Sequence, residues 1–335
     1  MMVDSCWRDL NRLPKNGDVG TRVLSSNGSR QIDEALVTAH FARWTPLNGI
    51  LLTSPAWRRY YPPVRHLKLR QRIRRSTARI HTWAGTAWLL LGLISGLSSL
   101  TNGEVLSPLS GALLLLGAVL LYERQVLVSQ KHALFERALF FAFLRDRGDV
   151  RLVLWIVLFI AVLAFGGQEV LVARLGEAGF LAAFGLDSTV SWRDGYRLFT
   201  GPMIHADFGH FLANLAMALI IMPLAFVLSS AGLTALVFLV ANAVGGWLQL
   251  QLGSGAYQYY LGASAGVLSL YAFAFAVSLY RPRSLPPGLG VVLFGVALVS
   301  ILAAEGLINS AATIAHVAGV AVGLLAGCLW ARGPL

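Results

Sequence analysis

Charged residues are scarce in this chain. Asp, Glu, Lys and Arg make up 13% of its 335 residues, whereas soluble domains contain about 25%. Hydrophobic residues make up 56%, and the mean hydropathy is +0.65. This composition excludes an ordinary soluble domain and predicts a polytopic membrane protein.

Cysteine is nearly absent as well. Cys6 and Cys328 lie near opposite ends of the chain, so the sequence contains no disulfide framework and no closely spaced pair of metal-binding cysteines. The first residues carry Asp4 and Arg8 with no apolar segment behind them. We therefore expect no cleavable signal peptide there.

Acidic residues are outnumbered by basic ones, 16 against 27, which gives a net charge of +11. The basic residues lie mainly between apolar segments, most densely from Arg58 to Arg79, where no acidic residue occurs. We interpret this stretch as a juxtamembrane orientation signal rather than an arm that binds nucleic acid. No nucleic-acid partner is expected.

Eight apolar segments are predicted to cross the bilayer. They lie at 82–101, 109–128, 152–167, 209–228, 233–251, 261–279, 289–306 and 311–330. If the loops rich in Lys and Arg lie in the cytoplasm, one topology is consistent throughout, with both termini inside. The predicted fold class is an all-α polytopic membrane protein, located in a bacterial inner membrane.

The segments between the spans suggest a domain division. Residues 168–207 mix charged and apolar residues and are expected at the outer membrane surface. We divide the chain into a cytoplasmic basic region (1–80), a transmembrane hairpin (81–128), a cytoplasmic linker (129–150) and a core (151–332). The linker pattern is typical of a helix lying on the inner membrane surface.

Four polar residues share one predicted depth. Ser264, His316, His210 and Asn214 each lie near the start of a span that runs inward from the outer surface. At 1.5 Å per helical residue, their depths below that surface should be similar. The topology therefore predicts that they can meet, although they are far apart in sequence.

Ser264 has two explanations. Gly262 and Gly266 form a small-xxx-small pair around it, which is typical of close helix packing. The alternative is chemistry, which needs a base to accept the hydroxyl proton, most commonly a histidine.

His316 favours the chemical alternative, because an ionisable residue inside an apolar span usually marks a functional site. Gly319 and Gly323 should let its helix approach the helix of Ser264 at Gly262 and Gly266. No Asp or Glu occurs within the span of His316. The arrangement would therefore be a Ser–His dyad rather than a triad.

His210 and Asn214 are four residues apart and so face the same way on a helix. They could donate hydrogen bonds to a developing oxyanion, or they could hold neighbouring helices together. A metal site built on His205, Asp207 and His210, with His316 as a further ligand, is less favoured, because the HExxH pattern is absent. No metal and no cofactor are expected.

Together these motifs resemble those of the rhomboid intramembrane serine proteases, over about residues 150–332. That family carries a helical His-x-x-x-Asn, a Gly-x-Ser at the start of a central span, and a His-x-x-Gly-x-x-x-Gly in the last core span. These correspond to His210–Asn214, Gly262–Ser264 and His316–Gly323. The resemblance implies a six-helix core, to which the first two spans are an addition.

Supporting positions also resemble the family. An aromatic-Arg pair precedes the His segment, as Tyr196 and Arg197 do here, while Trp192–Arg193 is spaced less well. His205 falls where many bacterial members have a further histidine.

Two positions depart from the family pattern. Ala265 follows the serine in place of the usual glycine, and Leu268 stands where a tyrosine is common, with Tyr271 one turn later. These departures affect the local geometry around Ser264 and the turnover rate expected there.

The resemblance implies that Ser264 attacks the scissile carbonyl and that His316 is the base. His210, Asn214 and the Ser264 backbone N–H would form the oxyanion hole. The expected function is cleavage of membrane-protein substrates in or near their transmembrane segments, so the expected partners are transmembrane proteins and the lipid bilayer. The alternatives are a non-catalytic relative that binds membrane clients, and a transporter, for which the sequence lacks inverted repeats.

Overall fold

The computed structural model describes residues 24–26, 29–31, 70–101, 107–129, 133–188, 194–253, 259–307 and 312–332. Most of the predicted cytoplasmic region 1–80 lies outside the described residues, as do Trp192 and Arg193.

Helices dominate the described part of the chain. They are α1 (Arg70–Thr101), α2 (Pro108–Ser129), α3 (Ala133–Asp146), α4 (Gly148–Phe184), α5 (Arg197–Thr200), α6 (Phe208–Leu228), α7 (Ala231–Leu252), α8 (Ser264–Tyr280), α9 (Leu289–Leu307) and α10 (Thr313–Arg332). A 3₁₀ helix, Gly201–Met203, joins α5 to α6.

Short strand pairs are the exception to this helical architecture. The strands are β1 (Leu24–Ser26), β2 (Ser29–Gln31), β3 (Leu186–Asp187) and β4 (Tyr259–Tyr260), and they form antiparallel pairs β1–β2 and β3–β4. The β3–β4 pair matches Leu186 with Tyr260, and so joins the segment after α4 to the segment just before Ser264.

Seven described helices are long and apolar enough to cross a membrane. The helix α8, with 17 residues, is shorter and spans about 26 Å at 1.5 Å per residue. Each of these eight helices overlaps one of the eight predicted segments. The prediction of an all-α polytopic membrane protein is confirmed.

The helix α8 is the centre of the bundle. It contacts α6, α7, α9 and α10, and most of its side chains are buried, including Leu270 and Phe273. A helix that is apolar on every side is surrounded either by protein or by lipid, and α8 is surrounded mainly by other helices. This central position fixes where the first residue of α8, Ser264, must lie.

Glycines of α10 bring that helix close to α8. Gly319 contacts the backbone of Ala265, and Gly323 contacts the backbone of Ser269. Gly327 continues the row. Because contacts advance by four residues on both helices, α8 and α10 run parallel, with their N-termini at the same end.

The prediction that Gly319 and Gly323 pack against Gly262 and Gly266 was wrong. Gly262 faces His210 of α6, and Gly266 faces Asn242 and Phe238 of α7. Ala265 presents the face toward α10 instead, because adjacent helical residues point about 100° apart.

The third span is longer than predicted. The helix α4 continues from Gly148 to Phe184, with a kink at Gly176, where φ is 71°. The prediction ended this span at residue 167 because charged residues follow. Apolar residues continue among those charges, and the backbone remains helical apart from the kink.

A helix does form within the predicted linker, but its apolar side faces protein. Leu139, Phe140 and Phe143 of α3 are buried in the main hydrophobic cluster, beside residues of α6 and α8. The apolar side of this helix therefore packs on the core, and its expected position at the inner membrane surface stays a prediction.

The hairpin of α1 and α2 packs on the core through α9. Arg137 of α3 forms a buried ion pair with Glu123 of α2 and donates to the carbonyl of Pro287, 2.8 Å away. Burial lowers the pKa of Arg137 to about 10, so the guanidinium stays charged at neutral pH and ties α2, α3 and the segment before α9 together.

Candidate active site

The hydroxyl of Ser264 lies 2.8 Å from Nε2 of His316. Ser264 is the first residue of α8, and His316 is in the first turn of α10. The parallel packing of these two helices brings both N-terminal ends to one place. Two residues 52 apart in sequence thereby come within hydrogen-bonding distance.

The role of His316 in this contact depends on which ring nitrogen carries the proton. The ring is buried, and within the described residues Nδ1 has no hydrogen-bond partner. If the proton resides on Nδ1, then Nε2 is free to accept the Ser264 hydroxyl proton. The pair has the geometry that a nucleophile and its base need.

A turn of unusual backbone geometry precedes Ser264. Gly262 has φ of 105°, in the region that side-chain-bearing residues rarely adopt. The residue before α8, Ala263, provides no side-chain cap. The helix α8 therefore begins directly after this turn, and the N–H groups of its first turn have no acceptor within the helix.

His210 and Asn214 project from the first two turns of α6. Asp207 caps this helix by accepting the His210 backbone N–H at 2.8 Å. The His210 ring lies against Gly262, two residues before Ser264. Asn214 is buried, and its Nδ2 has no hydrogen-bond partner among the described residues.

His205 packs against the ring of His210. Its ring centroid is 5.2 Å from that of His210, and its Nδ1 donates to the Met203 carbonyl at 3.0 Å. Gln168 of α4 bonds both backbone groups of His205, at 2.7 and 2.9 Å. Burial, followed by the neighbouring His210, lowers the pKa of His205 to about 4.

The aromatic-Arg pair, Tyr196 and Arg197, bonds to the segment around the end of α4. Tyr196 donates to the Ala183 carbonyl at 2.8 Å, and Arg197 donates to Asp187 at 3.2 Å. Both contacts connect α5 to the end of α4 and to β3. The pair therefore holds the segment after α4 in place, and its described hydrogen bonds do not reach Ser264.

The positions that depart from the family pattern are all buried. Ala265 contacts Gly319 of α10, whereas the Tyr271 hydroxyl donates to the Met217 carbonyl of α6 at 3.3 Å. Leu268 packs in the main cluster. Each side chain is therefore accommodated within the bundle.

Three residues near the site were missed from the sequence. Asn242 and Gln249 of α7 are buried amides that bond to α8 and α10, and Tyr260 is buried in β4. Burial raises the pKa of the Tyr260 hydroxyl, and the nearby Ser264 side chain and Ala265 backbone oppose that rise. The two amides carried a usable signal, since polar residues inside an apolar span usually bond to neighbouring helices.

Residues 193–333 match the family model of the Rhomboid domain. This match supports membership of the rhomboid family. Rhomboid proteins are generally intramembrane proteases, although some members are inactive. The match begins after α4, whereas the resemblance was placed from about residue 150. No curated protein matches the chain.

Proposed function

We propose that this rhomboid protein is an intramembrane serine endopeptidase that cleaves membrane proteins in or near their transmembrane segments. The observation that carries the proposal is the 2.8 Å contact between Ser264 Oγ and His316 Nε2. A serine hydroxyl is a weak nucleophile unless a base lies within hydrogen-bonding distance.

The acylation step follows from that contact. The Ser264 hydroxyl attacks the scissile carbonyl carbon, and its proton passes to Nε2 of His316. The tetrahedral intermediate collapses when His316 returns the proton to the leaving amine. The products of this step are the released C-terminal fragment and an ester between Ser264 and the N-terminal fragment.

Deacylation repeats the sequence with water as the nucleophile. His316 accepts a proton from water, the hydroxide oxygen attacks the ester carbon, and Ser264 leaves as its hydroxyl after recovering that proton. Water must therefore reach the N-terminal ends of α8 and α10. Polar groups at membrane depth are tolerated where they line protein or water.

His210, Asn214 and the Ser264 backbone N–H are the proposed oxyanion donors. His210 lies beside the turn that leads to Ser264, and Asn214 has an unbonded buried Nδ2 among the described residues. The N–H of the first helical residue has no acceptor within its own helix, and the helix dipole favours negative charge there.

The site should open on the outer side of a bacterial inner membrane, with both termini in the cytoplasm. At the opposite ends of α8 and α10, Arg281 donates to the Ala331 carbonyl at 2.9 Å, and Arg332 lies 4.7 Å from the Tyr280 ring. Basic residues at that end favour a cytoplasmic position. In cells, Arg283→Cys should resist an impermeant thiol reagent added outside, whereas Tyr196→Cys should react.

Labelling with a serine-directed fluorophosphonate tests the proposed nucleophile. The unaltered protein should be labelled, and Ser264→Ala should not. Ser269→Ala is the matched control, because Ser269 is a buried serine of the same helix whose hydroxyl donates to the Gly266 carbonyl. That variant should keep its label.

An unlabelled native protein that still binds transmembrane clients would favour the non-catalytic alternative. Label that persists in Ser264→Ala would assign the nucleophile elsewhere. Either result contradicts the proposed function.

A further inference from the structure

We infer that Asn242 and Gln249 of α7 are positioning residues that hold Ser264 and His316 in register. The Asn242 Oδ1 accepts the backbone N–H of Gly266 at 2.8 Å. The Gln249 Oε1 accepts the backbone N–H of Ala315 at 3.2 Å. One helix thus bonds to the backbone of both helices that carry the proposed dyad.

The two hydrogen bonds reach the same position in their respective helices. Gly266 is the third residue of α8, and Ala315 is the third residue of α10. The third N–H of a helix is the group that an N-cap side chain usually satisfies. The residues before these helices are alanines, Ala263 and Ala312, whose side chains carry no acceptor. The amides of α7 therefore replace the missing caps from another helix.

The same face of α7 also allows a close approach. Gly245 lies three residues after Asn242 and four before Gln249, which places all three on one side of the helix. A Cβ at Gly245 would lie 2.9 Å from the Ala315 carbonyl and 3.0 Å from the Ala265 side chain. The helices α7, α8 and α10 therefore meet at a single point.

Both amides are buried, with exposed fractions of 1% for Asn242 and 5% for Gln249. Their acceptor oxygens satisfy backbone N–H groups that would otherwise be buried without a partner, which is costly. Gly266 also contacts the Asn242 side chain directly, so the lack of a Cβ at that position leaves space for the amide.

The consequence is positional control of the dyad. The N–H of Gly266 is two residues from Ser264, and the N–H of Ala315 is adjacent to His316. Loss of either bond frees one helix end to shift relative to the other. A misplacement of about 1 Å at a reacting group can lower the rate roughly 100-fold. This inference rests on the proposed function of Ser264 and His316.

Four variants test it on the full chain in proteoliposomes. Asn242→Leu and Gln249→Leu remove the acceptors, whereas Asn242→Asp and Gln249→Glu retain an acceptor oxygen. The Leu variants should lower kcat on a transmembrane substrate by about 10- to 100-fold with little change in KM, because neither residue is placed to contact substrate. The acidic variants should recover most of kcat.

Thr234→Val is the matched control. Thr234 is a buried polar residue of the same helix, 3.3 Å from the Ser229 hydroxyl, at the end of α7 far from the site. Its substitution should lower the thermal midpoint and leave kcat unchanged. Hydrogen–deuterium exchange should become faster at residues 262–268 in Asn242→Leu and at 313–318 in Gln249→Leu.

The possible results separate the two claims. Normal kcat in both folded Leu variants would overturn the positioning role while leaving the proposed function intact. The absence of Ser264-dependent cleavage by the unaltered chain would overturn the proposed function, and the positioning role with it. If Asn242→Leu does not fold, Asn242→Ala removes the acceptor with less bulk and is judged by the same criteria.

Discussion

The edge of the His210 imidazole lies where a side chain at position 262 would stand, beside Gly262. A Cβ at Gly262 would come within 2.5 Å of the ring Cε1, and the Gly262 backbone has φ of 105°. Two separate constraints thus favour glycine here, because a side chain would meet the ring and would also be strained by this backbone conformation.

Gly262→Ala should therefore displace either His210 or the turn before Ser264. We expect the rate of substrate cleavage to fall about 10- to 1000-fold, the range for loss of an oxyanion donor. Gly232→Ala is the control, because a Cβ at that helical position meets nothing within 4 Å. Equal cleavage rates in both variants would contradict the contact between His210 and the turn.

Gly319→Val should separate α10 from α8. Gly319 contacts the Ala265 backbone, three residues after His316, so an added side chain must push the helices apart. We expect roughly 100-fold slower cleavage from misplacement of His316, together with a lower thermal midpoint. The control Gly167→Val lies in α4, where nothing stands within 4 Å of a Cβ; it should retain its cleavage rate.

Asn214→Ala tests the oxyanion assignment. If Asn214 donates to the developing oxyanion, kcat should fall by about 10- to 1000-fold while the thermal midpoint changes little. His210→Ala should behave in the same way. A pronounced loss of stability with normal kcat would indicate instead that these residues only hold helices together.

His205 predicts a pH dependence of stability. Its pKa in the folded protein is about 4, below the ordinary 6.5, because burial and His210 disfavour the charged ring. The contribution of His205 to the free energy of unfolding should therefore be fully present above pH 6.5, and it should decrease as the pH is lowered toward 4. The loss attributable to this residue is on the order of 3 kcal/mol.

The thermal midpoint measured from pH 7.5 to 4 checks this. His205→Asn cannot titrate, and its amide can still donate to the Met203 carbonyl. The variant should lose less stability on acidification than the unaltered protein. The same acid sensitivity in both proteins would mean that other groups are responsible.

The sequence predicted the helical architecture well, because spans such as 209–228 are apolar throughout and basic residues mark the loops between them. It misplaced the end of the third span, since charged residues such as Glu169 and Arg174 were interpreted as a boundary. Charged residues indicate where a helix leaves an apolar environment, but they do not end the helix itself. The backbone of α4 stays helical to Phe184 except at Gly176.

The site itself was predictable as far as shared depth and spacing allow. Ser264 and His316 lie at the same end of parallel helices, as the topology required, while their catalytic roles stay predictions. The rotation of each helix about its own axis was not predictable. Gly262 and Gly266 were therefore assigned to α10, whereas they face α6 and α7. Asn242 and Gln249 stand out in the sequence as polar residues inside an apolar span. Their partners were not predictable, because they are backbone N–H groups, which have no sequence signature.

The dyad is the central claim, and cleavage kinetics of Ser264→Ala, His316→Ala and the double variant test it most directly. Residues that act as one unit give losses that do not add. All three proteins should cleave a transmembrane substrate at the same near-background rate, and added chelator should leave the native rate unchanged. Cleavage retained by purified Ser264→Ala, or a double variant clearly slower than either single variant, would contradict the account.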